Sequence, residues 1–135
     1  MYELLNAFTG QWKTSGRIPA ADMDISGTDV YEWFPGGHFL QHTVDVRMGT
    51  ERHQTLEMIR ADEAGGSIHM HAFDSQGQYT EMTGTCENGK WIFRGNRLRF
   101  TGSFSESGRV LSGIWEQADE NGYYNHFMDI RLEKM

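Results

Sequence analysis

The amino-acid sequence predicts an all-β protein: an up-and-down antiparallel meander of nine or ten strands closed into a barrel, with a short N-terminal helix. Three observations carry that reading. Turn signals recur roughly every 11 to 16 residues, from Pro35-Gly36-Gly37 through Gly49-Thr50, Gly65-Gly66, Ser75-Gln76-Gly77, Asn88-Gly89, Gly95-Asn96 and Ser107-Gly108 to Asn121-Gly122. The runs between them, such as 37–46 and 123–132, alternate apolar with polar residues or are dense in β-formers, which is the period of a strand. A meander this long exposes two edge strands unless it closes, and a barrel removes both edges. A two-sheet sandwich is the alternative packing of the same strands.

Tyr2 to Phe8 is read as the helix, because Leu4, Leu5 and Phe8 fall on one helical face. Strands are then expected at 11–18, 24–34, 38–48, 53–61, 67–73, 78–86, 90–94, 97–105, 109–117 and 123–133. Asn88-Gly89 is the strongest hairpin signal, since both central residues of a type I′ turn need positive φ. Gly95-Asn96 is either a turn between two strands or a bulge within one. No linker, low-complexity tract or charge run divides the chain, so residues 1–135 are expected to form a single domain.

Composition removes several classes of function. Aromatic residues make up 13% of the 135, too many for a disordered chain. The net charge of −7 argues against nucleic acid, whose phosphates need a basic footprint. No run of 18 apolar residues is present, so no membrane span is expected. The opening residues Met1 to Asn6 lack the basic and apolar regions of a secretory signal, and Cys86 is the only cysteine. A cytoplasmic location is therefore expected, with no internal disulfide and no zinc–cysteine cluster. A solid core would call for more Val, Leu and Ile than this chain has, which suggests an interior cavity.

Gly10-Gln11-Trp12, entering the first strand after the helix, resembles the Gly-X-Trp signature of lipocalins and the wider calycin superfamily. The resemblance implies a lipocalin or fatty-acid-binding-protein-like barrel whose tryptophan packs across the closed end. It also implies an arginine near the last strand lying over that tryptophan, and Arg131 is the matching residue. Guanidinium over indole is a favourable cation–π pair. Further stretches, Trp33-Phe-Pro-Gly-Gly-His-Phe-Leu40, Phe73-Asp-Ser-Gln-Gly77, Arg99-Phe-Thr-Gly-Ser-Phe104 and Ser112-Gly-Ile-Trp-Glu116, make nearly the whole chain similar to an uncharacterised bacterial lipocalin-like β-barrel family. Heme-binding nitrobindin-like barrels share Gly-X-Trp, but of their glycine-rich first-strand extension only Gly10 and Gly16 are present. No cofactor is expected.

Histidine is the unusual residue, with six in the chain. His69 and His71 are two apart on one strand and so share a face. If Gly49-Thr50 is a two-residue loop, His42 pairs with Glu57. If Asp62 to Gly66 is the next loop, Glu57 pairs with His71. That register gives a His42–Glu57–His71 row on one face, able to shuttle a proton, hydrogen-bond a ligand or hold a metal. A loop one residue shorter turns His69 and His71 to the other face. His69 and His71 are read either as surface or rim residues or as ligand contacts, and no metal is expected. His42 shares its face with Leu40, Val44 and Val46 and should point inward. Tyr31 and Trp33 share a face with Asp29 and could line a pocket wall. Arg97 and Arg99 are read as surface residues, and Cys86, beside acidic neighbours, as no nucleophile.

The functional expectation is a monomer or homodimer that binds a small hydrophobic ligand inside the barrel. His42, Glu57, Tyr31, Trp33, His71 and His69 are its candidate contacts, and Trp12 and Arg131 its closure. Two alternatives stand beside it: a small isomerase, lyase or hydratase using a His42–Glu57 acid–base pair, and a non-catalytic interaction scaffold.

Overall fold

The computed structural model describes residues 1–62 and 64–135. Its turns follow the glycine chemistry. Asn88 and Gly89 take φ of 52° and 79°, and the hairpin closes on the Glu87–Lys90 pair. Gly49, at φ 64°, closes the Met48–Glu51 pair. Gly95-Asn96 marks a turn between two strands, with Gly95 paired to Leu98 and Arg97 carrying the positive φ of 61°.

Among the described residues there are ten strands: β1 (Gly10–Ile18), β2 (Met23–Trp33), β3 (Leu40–Met48), β4 (Glu51–Asp62), β5 (Ser67–Asp74), β6 (Tyr79–Glu87), β7 (Lys90–Gly95), β8 (Leu98–Phe104), β9 (Val110–Ala118) and β10 (Tyr124–Lys134). Each pairs antiparallel with the next, and β1 pairs with β10 to close the barrel. The sandwich alternative falls on that last pairing. β3 starts two residues later than expected, because Phe34 and Phe39 close the preceding turn through a backbone bond of 2.9 Å.

One end of the barrel is plugged. Helix α1 (Tyr2–Leu5) runs into a 3₁₀ turn at Asn6–Phe8, so the helical segment covers the expected Tyr2 to Phe8 with its last turn tightened. A helix of this length has no stability of its own. Burial holds it in place: Leu5 and Phe8 are almost fully enclosed, each contributing about 1.5–3 kcal/mol. Phe8 packs edge-on to Trp91 and Phe104 at 5.1 and 4.9 Å. Trp12 Nε1 donates to the Phe8 carbonyl at 2.7 Å, which ties the plug to β1.

The cation over Trp12 is Lys134, not Arg131. Strand parity decides this. Ile130 and Leu132 pack inside with the core clusters, so Lys134 follows them inward and pairs with Trp12. Its Nζ lies 5.2 Å from the indole centroid. Arg131 points outward and donates to Glu133 Oε1 at 3.0 Å. Gly10 makes the arrangement possible: a Cβ there would stand 2.9 Å from Lys134 Cε.

A second apolar cluster of Ile18, Ile25, Val46 and Met128 covers part of the barrel interior on β1–β3 and β10. No helix among the described residues is long and apolar enough to cross a membrane.

Candidate functional site

Inward-facing side chains leave a cavity of about 200 Å³ in the barrel. Its polar wall comes from β2–β4: Asp29, Tyr31, His42, Thr55 and Glu57. The wall facing it, from β5 to β9, is apolar, with Met70, Met82, Phe93, Phe100 and Trp115. No Lys or Arg lines the cavity among the described residues.

The two-residue Gly49-Thr50 loop sets His42 directly opposite Glu57. On the other side, Tyr31 pairs with His42 and Asp29 with Val44. Asp29 is therefore the diagonal neighbour of His42 on the same face, within reach of a side chain. The result is a chain of three buried groups. His42 Nε2 lies 2.6 Å from Asp29 Oδ2, and Nδ1 lies 2.9 Å from Glu57 Oε1. Thr14 Oγ1 donates to the other oxygen of Asp29. The Tyr31 ring lies flat on the imidazole, with centroids 3.8 Å apart and planes 8° apart.

Ionised carboxylates only accept hydrogen bonds, so an imidazole between two of them must donate from both nitrogens. Burial pushes the His42 pKa down. The bonds to Asp29 and then Glu57 outweigh it and hold the ring at about 9, against an ordinary 6.5. The ring is thus an imidazolium at neutral pH. With both N–H groups engaged it has no lone pair for a substrate proton or a metal. Burial, then the charges of Asp29 and Glu57, push the Tyr31 hydroxyl well above its usual 10, so it stays protonated.

Glu57 Oε2 has a different position. Among the described residues it makes no hydrogen bond, yet no enclosed polar side-chain atom is left without a partner. That oxygen therefore opens onto the cavity, which Glu57 lines.

Of the candidates read from the sequence, Tyr31, His42 and Glu57 come together at this cavity. His69 and His71 do not. The β4–β5 hairpin pairs Asp62 with Ser67, one residue tighter than the expected register, so Glu57 faces Ala72 and His71 faces Met58. Both histidines stand on the outer wall, half-buried. His71 Nδ1 lies 2.8 Å from Tyr79 Oη, and His69 sits beside Asp62. Trp33 packs against Tyr2 at the plugged end and donates to Asn6 Oδ1 at 2.8 Å, away from the cavity. Asp29 is the site residue that the sequence reading left out. The signal was its shared face with Tyr31, combined with the β2–β3 register. Arg99 lies on the outside against Glu116 and over the Tyr124 ring. Burial raises the Cys86 thiol pKa, as expected of an inert cysteine.

The site and fold define a closed ten-stranded barrel with a buried acid–imidazole–acid cluster in its cavity. No family model matches the chain, and no curated protein matches it. It is similar to the crystal structure of Rv2717c from M. tuberculosis, at 14% identity over 98% of this chain and 96% of that one, with a TM-score of 0.72. At that identity the likeness shows a shared fold and nothing finer. A de novo designed fluorescence-activating β-barrel aligns over the full length of both chains at 12% identity, but its TM-score of 0.39 carries no argument.

Proposed function

We propose that the protein binds a small, largely apolar molecule inside its barrel, in the manner of lipocalin-like proteins. The observation that carries this reading is the cavity of about 200 Å³, apolar on one side and polar on the other. Few, well-placed polar groups in an apolar cavity are the usual make-up of a ligand site. The volume limits the occupant: an apolar cavity of about 150 Å³ accepts benzene, so this one suits a single ring with a short substituent. Apolar burial at about 25 cal/mol per Å² supplies the affinity. His42 holds Glu57 in place, and Glu57 and Tyr31 orient the polar end of the ligand. The test is calorimetry with a panel of one-ring compounds, beside native mass spectrometry of the purified protein. Saturable one-to-one binding is expected for part of the panel. A panel with no binder, together with a clean ligand-free mass, overturns the reading.

A second reading, a small isomerase, lyase or hydratase, has Glu57 Oε2 in its favour, since an accessible carboxylate oxygen in an apolar cavity can take a proton. In that reading Glu57 is the base and His42 only positions it. Deuterium exchange into a bound carbonyl compound, lost in Glu57→Gln, supports it. No exchange in the native protein counts against it.

A further inference from the structure

We infer that the polar end of the ligand is a cation, a protonated amine carried on a one-ring or short aliphatic body. The inference rests on the ligand-binding reading above and names the chemistry of its ligand.

Two hydrogen bonds join Asp29, His42 and Glu57, at 2.6 and 2.9 Å, and each contains one proton. With Glu57 Oε2 unprotonated, two carboxylates and an imidazole ring that share only these two protons carry a net charge of −1, whichever atom of each bond holds the proton. Asp29 Oδ1 takes a third hydrogen bond, from Thr14, but a hydroxyl brings no charge. The cluster is almost fully buried, with Asp29 and Glu57 each 6% exposed and His42 9%. A buried net charge is costly unless it is paired. The described cavity lining contains no Lys or Arg to pair it.

Geometry says where the counter-charge goes. Asp29 has both oxygens engaged, and His42 both nitrogens. Glu57 Oε2 is the one acceptor of the cluster that opens onto the cavity. A charge-assisted hydrogen bond from an ammonium group to that oxygen brings the cluster and its ligand to neutrality. The apolar wall of Met70, Met82, Phe93 and Phe100 takes the body of the molecule. An anionic ligand of the same shape adds a second unpaired negative charge and is rejected. A neutral alcohol can donate to Oε2 but leaves the net charge in place.

The experiment compares three probes of nearly equal shape at pH 7 by isothermal titration calorimetry: 2-phenylethylamine, 2-phenylethanol and 3-phenylpropanoate. The expected order on the native protein is amine at least 10-fold tighter than alcohol, with no measurable binding of the carboxylate. Glu57→Gln should bring the amine to within a few-fold of the alcohol measured on the same variant. If alcohol or carboxylate binds the native protein as tightly as the amine, the cation inference is overturned while the ligand-binding reading stands. If none of the three binds, the cation inference is overturned, and the ligand-binding reading is decided separately by the one-ring panel and the native mass. The order of affinities on the native protein decides by itself, so the test does not depend on Glu57→Gln folding.

Discussion

His42 sets the pH behaviour of the fold through its two carboxylate partners, Asp29 on β2 and Glu57 on β4. Its pKa is raised, so the protonated form favours the folded state. The contribution is fully present below the unfolded imidazole value of 6.5 and is lost as pH climbs toward about 9. Tyr31, stacked on the ring, ionises well above 10 and does not titrate in this window. Denaturant unfolding between pH 6 and 10 should therefore show stability falling by about 3 kcal/mol. A flat profile would place the proton elsewhere. His42→Ala should cost about 3–5 kcal/mol at pH 7, because it strands two buried carboxylates. Arg131→Ala should cost under about 0.5 kcal/mol in the same assay, as an exposed pair with Glu133 contributes little. At this scale the legibility of the sequence depended on loop length. The Gly49-Thr50 turn admits one register, and His42–Glu57 followed from it. The loop after β4 allowed two registers, and a single residue moved His69 and His71 to the outer wall. Arg131 was chosen by family pattern, where strand parity selects Lys134.

At the scale of elements, the turns were the most legible feature, because Asn-Gly and Gly-containing loops state their own backbone angles. Close approach between strands was not legible, since a glycine within a strand does not reveal what lies over it. Gly102 and Gly113 pair across β8 and β9. A Cβ on either would stand within 2.7 Å of Phe100 Cζ, and one on Gly113 would also meet the Thr101 carbonyl oxygen at 2.4 Å. The glycine pair lets the Phe100 ring lie against the sheet between Phe93 and Trp115. Backbone cannot yield as a flexible side chain can, so Gly113→Ala should destabilise by about 1–3 kcal/mol, the usual cost of overpacking. Gly89→Ala, in an open turn at positive φ, should cost less than Gly113→Ala, since it meets strain but no neighbour. Thermal melts of the two variants side by side test whether close packing of the barrel wall or turn conformation matters more.

Considered whole, the molecule is a barrel whose plug, Trp12 and second apolar cluster occupy much of the interior and leave one amphipathic space between them. The presence of a cavity was legible from a composition too poor in Val, Leu and Ile for a filled core. Its small size was not, because aromatic side chains from β7 to β9 reach across it. A ligand in that space binds the folded state only, and therefore stabilises it by mass action. At about 100 times its Kd it adds about 2.7 kcal/mol, which for a chain of this length moves the melting temperature on the order of 10 °C. Val44 offers the discriminating substitution. It lines the cavity and sits on the face of His42, next to the second apolar cluster. Val44→Phe should fill the space with a ring while leaving the Asp29–His42–Glu57 bonds intact, at a cost of up to about 3 kcal/mol if the ring strains its neighbours. Its alkaline loss of stability should match that of the native chain, since the cluster is retained. Its ligand-induced rise in melting temperature should vanish. If the rise persists undiminished, the ligand is not inside the barrel, and the outer groove between His71, Glu81 and Arg94 becomes the place to look.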